Sequence, residues 1–315
     1  MLLMKPFTRP QTLDRAFEVK MNRLLNDGKI NSYYRYRSAL RAIQSFAGLD
    51  IRLSDVSSGW LADCALQWES KGLSSTTIRI YMNALKCIWH ELERKSLVRP
   101  SRNPFAGYKA PPPSRRRMAL SRDDVGRIAG WKGNSTVEMY RDLWLFSYLC
   151  NGINFRDLLF LKYKNIRDGE VVFERSKTKG KMKEALLIHA SLTPMMEDII
   201  ARIGNKRVSP ETYIFRYARE GMNPMEISSM VRKVIYLCNR SLKTIADDLG
   251  IEHFTTYSAR HSFATILNKR GVDITFISES LGHNSLETTK TYLAGFDKDE
   301  RRKISSFLTD FCNKE

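Results

Sequence analysis

Cysteine is scarce in this sequence, and its thiols stand apart. The five cysteines, Cys64, Cys87, Cys150, Cys238 and Cys312, are odd in number and form no C-x-x-C pair. This excludes a disulfide framework and the common thiolate zinc sites, and leaves buried, reduced thiols as the expectation. Long apolar runs are missing too: none approaches the ~20 residues that a membrane-spanning helix needs. The start, MLLMKPFTRPQ, lacks both a long apolar stretch and a small-residue cleavage site, so no signal peptide is expected. The reading is of a cytoplasmic protein with no membrane partner. Repeats and low-complexity tracts are absent. Negative charge is the last shortage, with 34 Asp and Glu against 52 Lys and Arg, a net charge of +18.

That imbalance is the first positive clue. A soluble chain with a pI near 9.7 faces a polyanion. No helix pairs a wholly basic face with a large aromatic one, so nucleic acid is favoured over a membrane surface. Charge alone also fits a ribosome-associated protein. The 315 residues are too many for one ordinary domain and comfortable for two, and 43% hydrophobic residues suffice for sizeable cores.

Residues 1–100 read as a bundle of about four helices. Leu13, Phe17, Met21 and Leu24 keep helical spacing. So do Tyr33, Tyr36, Leu40, Ile43 and Ala47, and then Ile78, Tyr81, Leu85, Ile88 and Leu92. Between them, SSGWLADCALQWESKG opens at a serine and closes at Gly72. Arg35, Arg37, Arg41, Arg79 and Lys86 fall on the polar faces, where they read as a solvated surface or as contacts to phosphate. Residues 101–118 form a linker. The stretch RPSRNPFAGYKAPPPSRRRM carries five prolines, which forbid a helix, and ends on Arg115, Arg116 and Arg117, a basic run able to lie along a phosphate backbone.

Residues 119–315 form a second domain, mainly helical with a small β hairpin. Ser121-Arg-Asp-Asp124 starts a helix, and another runs through Leu143, Phe146 and Leu149 to Asn151-Gly152. Two short strands within 170–188 are joined by a Lys- and Gly-rich turn. Helices are expected at about 191–202, 225–249, 258–270, 273–281 and 285–293, the third and fourth closed by Gly271 and Gly282.

The chemistry-bearing residues sit at these helix ends. Arg260 and His261 open a helix in TTYSARHSFATIL, His283 follows Gly282, and Tyr292 lies nine residues beyond His283. Each alone has a bland reading, the tyrosine as core packing and the hairpin's Lys177 as a solvated turn. Taken in order, ARHSFATILNKRGVDITFISESLGHNSLETTKTYL resembles the signature of the tyrosine recombinases, the phage-integrase family. The resemblance implies a helical core-DNA-binding domain in the first half and a catalytic domain in the second. It implies no cofactor and no metal. Tyr292 would attack the scissile phosphate of DNA and form a 3′-phosphotyrosine. Arg260 would clamp a non-bridging oxygen, His283 would donate a hydrogen bond to the phosphate, and Lys177 would protonate the leaving 5′-oxygen. His261 would support the site from behind. The physical need is plain: a phenol of pKa ~10 is only roughly 0.1% ionised near pH 7, a handicap of about 4 kcal/mol, and cationic neighbours offset it.

Two positions depart from the family pattern. The family's first arginine falls at Asn154, in CNGINFRDLLFL, and its histidine three residues before the second arginine falls at Tyr257, a phenol that can still donate to phosphate. Losing a phosphate clamp costs on the order of 10²–10³ in rate. The chain is therefore either impaired and purely DNA-binding, or another arginine substitutes, with Arg141 and Arg156 the candidates. A branch of the family found in mobile elements lacks this arginine, which favours substitution. The tail places Ile304, Phe307, Leu308 and Phe311 on one helical face, either packed on its own domain or docked into a neighbour. The resemblance implies a tetramer on inverted-repeat DNA sites, linked through that tail, with an accessory DNA-bending protein as a further partner. A type IB topoisomerase-like enzyme is the third reading of the same nucleophile.

Overall fold

The computed structural model describes residues 12–99, 103–112, 119–177, 186–293, 302 and 305. The chain divides into two compact units, Met1–Arg116 and Arg117–Glu315.

In the first unit four helices follow one another: α1 (Leu13–Asn26), α2 (Ile30–Ala47), α3 (Ser58–Ser70) and α4 (Ser75–Arg94). Thr12, Ser57 and Ser74 cap three of them, each side-chain oxygen accepting a backbone N–H of the first turn that would otherwise be unpaired. The apolar stripes then bury Leu13, Phe17, Ile43, Leu61, Leu85 and Ile88. Trp68 joins this core and ties α3 to α2 by donating its Nε1–H to the Ala42 carbonyl at 3.2 Å. The opposite faces stay wet. Arg35, Arg41, Arg79 and Lys86 are exposed, while Arg37 is half-buried, its guanidinium 4.6 Å from the centre of the Tyr34 ring. Cys87 is also exposed on α4, against the expectation of uniformly buried thiols, because it falls outside the Ile78–Leu85–Ile88 stripe; Cys64, Cys150 and Cys238 are buried. Cys312 lies outside the described residues.

The second unit contains α5 (Arg122–Gly130), α6 (Ser135–Leu149), α7 (Phe155–Leu159), β1 (Ile166–Arg167), β2 (Glu170–Glu174), β3 (Leu187–Ser191), α8 (Pro194–Ile203), α9 (Pro224–Leu249), α10 (Ser258–Lys269), α11 (Ile274–Ser280) and α12 (Leu286–Lys290). Helix α6 is the hub. Leu143, Trp144, Leu145 and Phe146 are all buried, so it is covered on every side, and it packs against α8, α9 and α10. The expected two-stranded hairpin gains a partner: β1 pairs antiparallel with β2, and β2 with β3. Neither the two-residue β1 nor the five-residue α7 was foreseen, being too short to show a period. Along β2 burial alternates, with Val171 and Phe173 inward, and the same register continues to Arg175. Among the described residues no helix is long and apolar enough to cross a membrane. Arg115, Arg116 and Arg117, the hairpin tip beyond Lys177, and Ile304, Phe307, Leu308 and Phe311 of the tail lie outside the described residues.

Candidate active site

Arg260 sits one turn into α10 and is only 3% exposed. Its Nη1 donates to the Gly152 carbonyl at 3.1 Å, and its Nη2 donates to the Leu281 carbonyl and to His283 Nε2, the latter at 2.9 Å. Gly152 has φ +62°, and a Cβ there would stand 2.6 Å from Arg260 Cα. The turn after α6 must therefore be glycine for α10 to pass this close. Gly282 repeats the device on the other side. Its φ is +61°, and a Cβ would meet Ile188 Cδ1 at 2.6 Å and Arg175 Cδ at 2.9 Å.

Arg175 is the residue that sequence reasoning missed. It is buried at the end of β2 and donates through Nη1 to the carbonyls of Leu281, at 3.2 Å, and Gly282, at 3.0 Å. Two guanidinium groups thus converge on one carbonyl, that of Leu281. Burial, then the charge of Arg175, pulls Arg260 down to about 10, which leaves it charged at neutral pH. The signal was present in the alternation Val171, Phe173, Arg175: an arginine in the inward register of a strand needs a reason to be there.

His283 is half-buried. Arginine only donates, so its contact makes Nε2 of His283 the acceptor, and Nδ1–H faces Thr289 Oγ1 at 2.9 Å. Burial and the charges of Arg260, Arg175 and Lys177 push the imidazole down to about 3, so it is neutral at physiological pH. Lys177 is exposed in the turn after β2, close enough for its charge to act on His283.

Tyr292 follows α12 and lies over this cluster. Its ring centre is 4.6 Å from that of His261, 4.9 Å from that of His283 and 5.4 Å from Arg260 Cζ. Its backbone carbonyl accepts from His261 Nδ1 and Thr265 Oγ1, both at 3.2 Å. Its hydroxyl lies 2.6 Å from that of Tyr257. Burial lowers the His261 imidazole below its ordinary value.

The structure therefore brings together Tyr292, Arg260, His283, His261 and Tyr257, with Lys177 at the rim. The two proposed substitutes for an arginine at Asn154 do not join them. Arg141 is 3% exposed and committed elsewhere, to Asp142 at 2.8 Å, to Glu138 at 3.7 Å and to the Trp131 carbonyl. Arg156 is exposed on α7, and among the described residues no hydrogen bond or ion pair links it to Arg260, His283 or Tyr292. Asn154 itself is the cap position of α7 and makes no side-chain capping bond.

Paired buried guanidinium groups sharing one carbonyl, one of them beneath a tyrosine ring, suit a protein that handles phosphate esters: they offer charge where an oxyanion develops, near a phenol hydroxyl. Residues 120–299 match the phage integrase family, and residues 12–108 match the phage integrase SAM-like domain. The chain belongs to the phage integrase family and is a site-specific recombinase of the tyrosine type. It is 25% identical over 268 residues to a tyrosine recombinase of Pseudothermotoga lettingae, covering 83% of this chain and 86% of that one. It is 22% identical over 305 residues to the ICEBs1 integrase of Bacillus subtilis, covering 90% and 79%. In fold it is similar to a lambda integrase dimer bound to a COC′ core site (TM-score 0.65, 20% identity, 91% of this chain and 98% of that one). It is also similar to the Tn1549 transposon integrase in complex with a circular intermediate DNA (TM-score 0.63, 15% identity, 94% and 99%).

Proposed function

We propose that this recombinase cuts and rejoins double-stranded DNA through a phosphotyrosine at Tyr292, and that Arg175 supplies the guanidinium missing at position 154. The observation that carries this is the position of the Tyr292 ring over Arg260 and His283, with Arg175 sharing the Leu281 carbonyl with Arg260. Tyr292 Oη bonds to phosphorus and the P–O5′ bond breaks. The 5′-oxygen takes a proton from Lys177, and the phenol proton goes to solvent. Arg260 and Arg175 exchange their carbonyl acceptors for the two non-bridging oxygens, where full negative charge makes each hydrogen bond stronger. His283 holds no proton on Nε2 at rest, so its share in binding phosphate begins only when Arg260 lets go of that nitrogen. The ester keeps the bond energy, so a second strand's 5′-OH religates without ATP.

The same reading makes the first unit a core-DNA-binding domain. There Arg35, Arg41, Arg79 and Lys86, and in the second unit Arg232, Lys233, Arg240 and Lys243 of α9, provide exposed basic faces for phosphate and base edges. Four protomers would act on two inverted-repeat sites through a Holliday junction, linked by the tail, with a DNA-bending accessory protein in the assembly.

The test is a nicked suicide duplex carrying the site. A covalent adduct is expected with the native chain and none with Tyr292→Phe. No adduct at all would leave a DNA-binding protein, and adducts on any duplex with plasmid relaxation would indicate a topoisomerase.

A further inference from the structure

The hydroxyls of Tyr257 and Tyr292 are 2.6 Å apart, and the Tyr292 hydroxyl also interacts with Arg260. We propose that Tyr257 is the positioning residue of the nucleophile: its hydroxyl holds the attacking oxygen and donates a hydrogen bond to the Tyr292 phenolate. This rests on the reading of Tyr292 as nucleophile and moves Tyr257 from the phosphate to the phenol.

The Tyr257 ring stands edge-on to His261, with centres 4.9 Å apart and planes at 74°, and its centre is 5.9 Å from that of Tyr292. Ring packing fixes the aim; the hydroxyl adds only the bond. Between two neutral phenols either can donate. Once Tyr292 has ionised, only Tyr257 can. Burial, then the bond to Tyr292, raises the Tyr257 pKa above its ordinary value, so it keeps its proton and stays a donor. In the reaction Tyr257 changes no covalent bond. The proton of Tyr292 leaves to solvent, the phenolate attacks phosphorus, and the Tyr257 bond weakens as charge moves onto the phosphate.

The remaining charged and titratable groups around Tyr292 are Arg260 and His261 on α10 and His283 before α12. Arg175 and Lys177, at the end of β2, act on Tyr257 and His283 through their charge. Tyr257→Phe alters none of them and keeps both ring contacts.

A hydrogen bond to a phenolate raises its population but tempers its reactivity. The benefit is therefore confined to pH below the pKa of the nucleophile, and that shape is the signature. With 3-fluorotyrosine at position 292 of the full chain, a fluorine NMR titration without DNA reads the ionisation directly. Tyr257→Phe is expected to move the midpoint up by about one unit, a tenfold loss of phenolate near neutrality. Adduct formation on the suicide duplex by Tyr257→Phe with native Tyr292 should be about tenfold slower near pH 7, converge with the native rate at alkaline pH, and leave DNA affinity unchanged. An unmoved midpoint, or a rate loss that is the same at every pH, overturns the proposal. If the midpoint moves but the native chain makes no adduct, the recombinase mechanism fails while the tyrosine pair stands.

Discussion

At the scale of single residues, Arg175 and Arg260 are alike in chemistry and opposite in legibility. Arg260 opens a recognisable stretch of sequence; Arg175 is one basic residue in a run of them. What joins them is the carbonyl of Leu281, which accepts from both. Replacing Arg175 with lysine keeps a positive charge but removes the planar fork, so cleavage should fall on the order of 10²-fold with the fold intact, measured as the single-turnover rate of adduct formation. Arg156→Ala should leave that rate unchanged. Arg141→Ala should act on stability instead, since it takes one of two guanidinium partners from buried Asp142; Arg202 stays on the other carboxylate oxygen at 3.0 Å, so the loss should fall below the roughly 3–5 kcal/mol of a fully unpaired buried charge. His283 makes a prediction of the same scale. Its imidazole is held at about 3 against an ordinary 6.5, so below that ordinary value the unfolded chain takes up the proton first. The resulting penalty is absent above pH 6.5 and grows as pH falls toward 3. His261 is shifted in the same direction. Urea midpoints of the native chain and His283→Asn, compared from pH 7 to pH 4, should show the shallower acid loss in the variant.

Elements place these residues through turns. The α6–α7 turn and the turn after α11 each present a left-handed glycine whose carbonyl accepts from an arginine, Gly152 from Arg260 and Gly282 from Arg175. Either turn is thereby a template for one guanidinium. Gly152→Ala puts a methyl against the backbone of α10 and an L side chain at positive φ, and should cost more than about 1 kcal/mol. It should also slow cleavage beyond what the lost stability explains, because Arg260 moves with its helix. Differential scanning calorimetry and the adduct assay separate the two effects. Gly282→Ala meets side-chain rather than backbone atoms, Ile188 Cδ1 and Arg175 Cδ, so its cost should be milder in stability but should fall on cleavage through displaced Arg175.

The whole molecule carries +18, and α2, α4 and α9 are among the elements that expose basic residues on the faces opposite their apolar stripes. DNA affinity should therefore fall steeply with salt, and each of Arg35, Arg41, Arg79 and Lys86 that contacts a phosphate should reduce the log–log salt slope by about 1 when changed to alanine. Removing residues from 299 onward should leave this binding intact and abolish recombination between two sites. Recombination at the native level by the shortened chain would exclude the tail as the link between protomers.

Periodicity and caps were readable without coordinates. The stripe Ile78–Leu85–Ile88–Leu92 set the inner face of α4, serines at 57 and 121 capped the helices that follow them, and the R-H, L-G-H and Tyr order named the chemistry before any fold was known. Those are local properties, decided by side chains three or four residues apart or by direct order along the chain. The proposed replacement for the arginine absent at Asn154 is not local. Chain proximity pointed to Arg156 and Arg141, yet the first faces solvent and the second is consumed by Asp142. Only the packing of β2 against the turn after α11 brings residue 175 within hydrogen-bond reach of residue 281, and only the meeting of α10 with the end of α12 sets two phenol oxygens side by side. Which residues are candidates for the charge and the nucleophile follows from the amino acids; which of them share a site follows from close-packing of segments far apart in the chain, where contact depends on every intervening turn.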